Sequence, residues 1–144
     1  MAKLVGARVY NDAAISVANN TGVALTFNSE TYDTDTIHDT STNTGRLTCK
    51  TAGIYLIVGS VRWEANATGE RLVKIDLGGV GSIGYVQNQA VASAGETTAQ
   101  IVTTIYNLAV NQYVELAVYQ LSLATLNILA TNYISPYFMM QRIG

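Results

Sequence analysis

The apolar side chains of this chain recur every second residue, and that period decides what it can fold into. Val23, Leu25 and Phe27 alternate with Ala24, Thr26 and Asn28. Val73, Ile75 and Leu77 alternate with Leu72, Lys74 and Asp76, and Val114, Leu116 and Val118 with Tyr113, Glu115 and Ala117. In an extended chain, successive side chains point to opposite sides, so each such run offers one face to a core. The abundance of Val, Ile, Thr and Tyr suits a pleated surface. Turn signals cut the runs short: Asn19-Asn20-Thr21-Gly22, Asn43-Thr44-Gly45, Asn66-Ala67-Thr68-Gly69, Gly78-Gly79 and Asn111-Gln112. Asn and Gly accept the positive φ that tight turns demand. Strands are predicted near 4–10, 14–17, 22–28, 46–50, 54–64, 70–77, 80–86, 97–107, 112–120, 125–130 and 136–142. No convincing helix appears, and Leu121 to Ala130 is the one ambiguous apolar stretch. The fold class expected is all-β, a sandwich or jelly roll. With 144 residues and no linker or internal repeat, one domain spanning 1–144 is expected.

Three strands are apolar on both sides. Ile54-Tyr55-Leu56-Ile57-Val58 shows it in the first half of its run, Tyr113-Val114-Glu115-Leu116-Ala117-Val118-Tyr119 over most of its length, and Pro136-Tyr137-Phe138-Met139-Met140 until near its end. A strand with two apolar faces must be covered twice. Without helices, the second cover is expected to be another copy of the chain. The residues expected at that interface are Ile54, Leu56, Arg62, Tyr113, Glu115, Ala117, Tyr119, Phe138 and Met140. Tyrosines suit such a place, because a large apolar body carries a hydroxyl that reaches a neighbour. Glu115 is expected to pair with Arg62 or Arg142 across it, since a buried unpaired charge is costly.

Composition supports a partly hidden surface. Apolar residues make up 49% of the chain and charged residues only 12%, about half the usual share. The net charge is −2, with 8 scattered Lys and Arg, so no basic patch exists to neutralise phosphates and no nucleic-acid partner is expected. The longest apolar stretch, Ile54 to Val61, is too short to span a bilayer. The N-terminus shows no apolar run of signal-peptide length, so synthesis without secretion is expected. The sequons at Asn19 and Asn66 accordingly carry little weight. Cys49, the single cysteine, lies in the alternating run Arg46-Leu47-Thr48-Cys49-Lys50 and is expected to be a small buried hydrophobe.

Catalytic and metal chemistry find little footing. The densest polar cluster is Glu30, Asp33, Asp35, His38 and Asp39. Asp33-x-Asp35 opens like a calcium loop, but His38 stands where Gly is required and Thr44 where the closing Glu belongs. Turn-capping by these carboxylates is the expected role. His38 is the only histidine, and no nucleophile motif accompanies it. No catalytic residue, cofactor or metal is expected, nor an enzyme. Trp63 alternates with Val61 and is expected in the core, and the tyrosines Tyr10, Tyr32, Tyr85, Tyr106 and Tyr133 include candidates for a sugar-stacking platform.

The run Thr26-Phe27-Asn28-Ser29-Glu30-Thr31-Tyr32-Asp33-Thr34-Asp35-Thr36-Ile37-His38-Asp39, then Gly45-Arg46-Leu47-Thr48 and Ala52-Gly53-Ile54-Tyr55-Leu56, resembles the globular head of complement component 1q, in particular its bacterial and bacteriophage members. Asn111-Gln112-Tyr113-Val114-Glu115-Leu116-Ala117-Val118 is similar to the Gly-Asp-x-Val-x-Leu-x-Val strand of that family, and Tyr137-Phe138-Met139-Met140-Gln141-Arg142-Ile143-Gly144 to its terminal strand. The match covers nearly the whole chain in order. It implies a ten-stranded jelly roll of the tumour-necrosis-factor type, assembled as a homotrimer whose inner sheet of first, middle and last strands lines the three-fold axis. It also leaves open a weak calcium site in the acidic loop, since some animal members bind calcium near the trimer apex. Two departures stand out. Asn111-Gln112 replaces the usual Gly-Asp, and Leu121-Ser122-Leu123-Ala124 replaces the usual Ser-Gly-Gly turn, which makes Leu121 and Leu123 a candidate contact loop. The collagen stalk of the animal proteins is absent from this sequence. The function this implies is a virion structural protein: a trimer that decorates a bacteriophage capsid, with the major capsid protein or other virion components as partners. The alternative is a receptor-binding tip of a tail fibre or spike that recognises a glycan or protein.

Overall fold

The computed structural model describes residues 3–144. Twelve strands follow one another: β1 (Gly6–Tyr10), β2 (Ile15–Val17), β3 (Val23–Ala24), β4 (Ser29–Asp33), β5 (Arg46–Thr48), β6 (Gly53–Trp63), β7 (Glu70–Leu77), β8 (Gly81–Gln89), β9 (Thr98–Leu108), β10 (Tyr113–Gln120), β11 (Leu126–Ile128) and β12 (Tyr137–Arg142). All neighbours are antiparallel. In the first sheet β6 is the spine. It pairs with β9 along its whole length, from Gly53↔Leu108 to Trp63↔Thr98. Its other edge carries β12, then β1, then β4, while β11 and β2 continue beside its far end through Ile128↔Trp63. The second sheet runs β3-β10-β7-β8, with β5 sharing the β10 edge with β3. Most consecutive strands cross between sheets, as in a jelly roll. No helix among the described residues is long and apolar enough to cross a membrane.

The two sheets meet through the residues that alternation selects. Tyr55, Ile57, Val61 and Trp63 of β6, with Val102, Phe138, Met140, Ala7 and Val9, face Val73, Ile75 and Leu77 of β7 and Val114, Leu116 and Val118 of β10. Each large side chain so buried contributes about 1.5–3 kcal/mol. Phe27 stacks on Phe138 at 5.9 Å, tying the extended 25–28 segment to the last strand. Cys49 and Trp63 are fully buried, as expected.

Two elements differ from expectation. The run 22–28 pairs as a strand only at Val23–Ala24; beyond it Leu25 N–H bonds Leu116 O, and Phe27 N–H turns to Thr44 O. Strand β4, at the sheet edge, lies inside what the sequence presents as an acidic loop. Asn111 takes the left-handed φ of 71° that the missing Gly would supply, and the Gln112 side chain accepts from Ala109 N–H to close the turn.

Polar side chains pin one end of the sandwich. Gln100 accepts from Trp63 Nε1 at 2.9 Å and donates to Arg71 O and Asn88 Oδ1. Gln120 donates to Val17 O and Ala124 O and accepts from Ser122 N–H. Fully bonded amides of this kind can be buried without penalty. Arg71 is fully buried with no carboxylate partner; its guanidinium donates to the carbonyls of Asn66, Thr68 and Glu70 and lies 5.8 Å from the Trp63 ring.

Candidate assembly surface

The outer faces of the two sheets have opposite character. On the first sheet, register aligns outward residues in rows: Ile105, Leu56 and Gln141; Thr103, Val58, Met139, Arg8 and Tyr32; Ile101, Ser60, Tyr137 and Tyr10. Ile101 and Ile105 are 61% and 60% exposed and Ile54 43%. No carboxylate stands in these rows. The two cations of this face are engaged inside the protomer. Arg8 lies 3.9 Å over the Tyr137 ring, and Arg62 Nε donates to Thr97 Oγ1 at 2.9 Å. On the second sheet Lys74 pairs with Asp76 at 3.0 Å, Ser82 donates to Asp76, and Gln87 donates to Glu70. Tyr85 of β8, in register with Lys74, also stands on that face and is 64% exposed. A broad apolar sheet face without carboxylates is what an interaction surface looks like.

The expected interface residues do not fall together. Ile54, Leu56 and Arg62 project from the outer face of β6, on the apolar side. Phe138 and Met140 point the other way and are fully buried in the protomer core, so the outward residues of β12 are Tyr137 and Met139. Tyr113, Glu115, Ala117 and Tyr119 belong to β10, which lies in the opposite sheet. They are also occupied there. The Tyr113 ring packs across Gly78 and under Arg46, whose guanidinium is 4.0 Å from its centre. Glu115 sits in register with Arg46 and Asp76, not near Arg62. Tyr119 donates to Asn20 Oδ1, and Ala117 is buried. The nine residues therefore cannot form one surface. Leu121 is half-buried, while Leu123 is 81% exposed at the tip of its turn.

Sequence reasoning passed over Val58, Ile101, Ile105, Met139 and Tyr137. The signal was present: Gln100, Val102, Thr104, Tyr106 and Leu108 alternate with Ile101, Thr103, Ile105 and Asn107, so β9 also has apolar residues on both sides.

The acidic cluster serves the backbone. Asp33 accepts the N–H groups of Asp35, Ile37 and His38, and Asp39 those of Ser41 and Thr42. These backbone bonds hold the Asp39 carboxyl below its ordinary range. Asp35 is taken by Lys3 and Thr51. His38 is buried, with Nδ1 3.0 Å from Glu30 Oε1 and Nε2 2.9 Å from Thr44 O. Among the described residues no three His, Cys, Asp or Glu side chains converge as a metal site would require.

The fold is an all-β jelly roll of the tumour-necrosis-factor and complement 1q type. Murine APRIL at pH 8.0 superimposes with a TM-score of 0.72 at 10% identity, over 98% of this chain and 100% of that one. Eiger TNF from S. frugiperda gives 0.70 at 10% identity over 99% and 94%, and the globular domain of zebrafish complement 1qA protein gives 0.63 at 14% over 97% and 98%. At such identities the likeness is one of fold. No family model matches the sequence, and no curated protein does.

Proposed function

We propose that this chain is a non-enzymatic structural protein of a virion, whose three copies join through the apolar face of the β6 sheet to decorate and brace a bacteriophage capsid. The observation that carries the assembly is the one-sided surface: Ile54, Ile101 and Ile105 stand in water on one sheet, beside a row without a carboxylate, while the other sheet is salt-bridged. Covering apolar area contributes about 25 cal/mol per Å², and a stable interface takes about 800 Å² from each partner. The number three comes from the resemblance, which puts the sheet of first, middle and last strands about a three-fold axis. Here β1, β6 and β12 share one sheet. Such a rotation closes the assembly and leaves no open end.

The virion assignment rests on the resemblance of Thr26–Asp39, Gly45–Thr48 and Ala52–Leu56 to phage members of that family. Leu123, held out on a left-handed backbone with its N–H on Asn19 Oδ1, offers a contact to the major capsid protein. Three such contacts per trimer act together. Sedimentation equilibrium of the purified protein tests the assembly, with a single species of three protomers expected. Virions lacking the protein are expected to remain infectious but to have fragile heads. A stable lone protomer overturns the trimer; loss of adsorption overturns decoration in favour of a receptor-binding tip.

A further inference from the structure

Where β1 ends and β12 begins, Tyr10, Asp12, Thr131, Asn132 and Tyr133 line an open depression of about 340 Å³. Its far wall is an unusual loop. Asn132 and Tyr133 both have left-handed backbones, at φ 30° and 60°, a conformation in which a bulky aromatic is seldom held. The loop is locked there: Thr131 N–H bonds Ser135 O at 2.8 Å, Ile134 N–H bonds Thr131 O at 2.9 Å, and Arg8 Nη2 reaches Tyr133 O at 3.2 Å. The result is a Tyr133 ring 60% exposed, set edge-on to Tyr10 with centroids 4.9 Å apart. Strain spent to keep an aromatic ring in the open points to something that meets it.

The polar groups around it are divided in a telling way. The Asn11 amide is used inside the fold, donating to Thr26 O and accepting from Ala13 N–H. Asn28 Nδ2 fixes Asp12 through Oδ1, which leaves Oδ2 without a partner among the described residues. The Thr131 hydroxyl, the Asn132 amide and both phenols make no bond within the described protein. A fixed aromatic face beside a carboxylate oxygen and a planar amide suits a ligand with one apolar side and adjacent hydroxyls. No cation is turned into the depression, since Arg8 is engaged by the Tyr133 carbonyl and the Tyr137 ring.

We propose that this depression binds a neutral hexopyranose unit of a glycan. The C–H side of the sugar ring lies on Tyr133, and vicinal hydroxyls donate to Asp12 and bond Asn132. The rigid loop spares the ordering cost that a mobile tyrosine would add. The inference does not depend on the capsid assignment, but Tyr10 also borders the apolar sheet face, so the test must separate a sugar from a second subunit.

Saturation-transfer NMR on the intact protein, with methyl glycosides of glucose, galactose, mannose and N-acetylglucosamine, provides that test. At least one glycoside is expected to bind with a Kd of roughly millimolar order, and its ring C–H protons to receive the strongest transfer. Tyr133→Ala and Asp12→Asn are each expected to weaken it by about tenfold or more, with the sedimentation coefficient unchanged. Three outcomes overturn the proposal: no saturable transfer from any of the four glycosides, binding by both variants equal to that of the unaltered protein, or a Tyr133→Ala protein that loses the sugar only together with its assembly.

Discussion

Leu116 of β10 occupies the space that a β-carbon at Gly59 of β6 would need, so that the two sheets approach each other through one residue's missing side chain. Both positions face the core, and Leu116 is fully buried. Gly59→Ala is expected to destabilise the protomer by about 1–3 kcal/mol through overpacking, and Leu116→Ala by about 2–5 kcal/mol through a cavity. Because the new methyl partly fills that cavity, the double variant is expected to lose less than the sum. Urea unfolding of the four proteins measures the coupling; strict additivity would show that the sheets meet elsewhere.

Ile105→Glu puts a charge on the apolar face at a side chain that is already 60% exposed. It is expected to leave the protomer folded and to dissociate the trimer, because an unpaired carboxylate cannot be covered cheaply. Tyr85→Glu, at an exposed position in the second sheet, is expected to change neither property. Analytical ultracentrifugation with circular dichroism distinguishes the two variants. Equal sedimentation of both would remove the apolar face from the assembly.

These positions mark how far the sequence could be read. Period two located β6, β7, β9, β10 and β12 to within a few residues, because strands that contribute half their side chains to a core must alternate. It could not say which of two apolar faces turns inward. On β12 the choice between Phe138 with Met140 and Tyr137 with Met139 is made by the partner sheet, not by the strand. Nor does alternation say which sheet a strand joins, so β10 and β6 looked alike although they lie on opposite sides of the core. Strand β4 escaped for another reason. Ser29-Glu30-Thr31-Tyr32-Asp33 is polar because it is an edge strand, and its pairing with β1 leaves no hydrophobic trace. The Tyr10–Tyr133 pair was foreseen only as two members of a list of tyrosines, since 123 residues separate them.

Arg71 is a buried cation without a counter-ion, and burial lowers its pKa. Its worth lies in three carbonyls of the 66–70 segment that would otherwise lack donors. Arg71→Met is expected to cost about 2–3 kcal/mol and to expose that segment to proteolysis. Arg71→Lys is expected to recover only part, because one ammonium cannot reproduce a planar fork. Limited proteolysis alongside thermal unfolding checks both; an unchanged cleavage pattern would argue that the segment holds itself.

Burial raises the pKa of the Cys49 thiol and, more strongly, that of the Tyr55 phenol, whose hydroxyl donates to Thr51 O. Each group therefore keeps its proton in the folded state at a pH where the unfolded chain has lost it. The folded state then binds more protons, so stability falls as pH rises beyond about 8.5. Tyr55→Phe with Cys49→Ala is expected to flatten this alkaline loss, as read from unfolding midpoints between pH 7 and 11. In the unaltered protein a disulfide reagent is expected to modify Cys49 no faster than the chain unfolds. Rapid labelling at neutral pH would contradict its burial.

The amides of Gln100 and Gln120 reach outward from the framework and grip the backbone of the segments around them, at Arg71, Val17 and Ala124. Shape at this end of the molecule is thus imposed from beneath. A residue on its skin with no side-chain bond of its own, such as Thr125, is free to change identity while the contour it decorates persists. This end of the sandwich behaves as a chassis, on which a new recognition surface can be written by exchanging side chains alone.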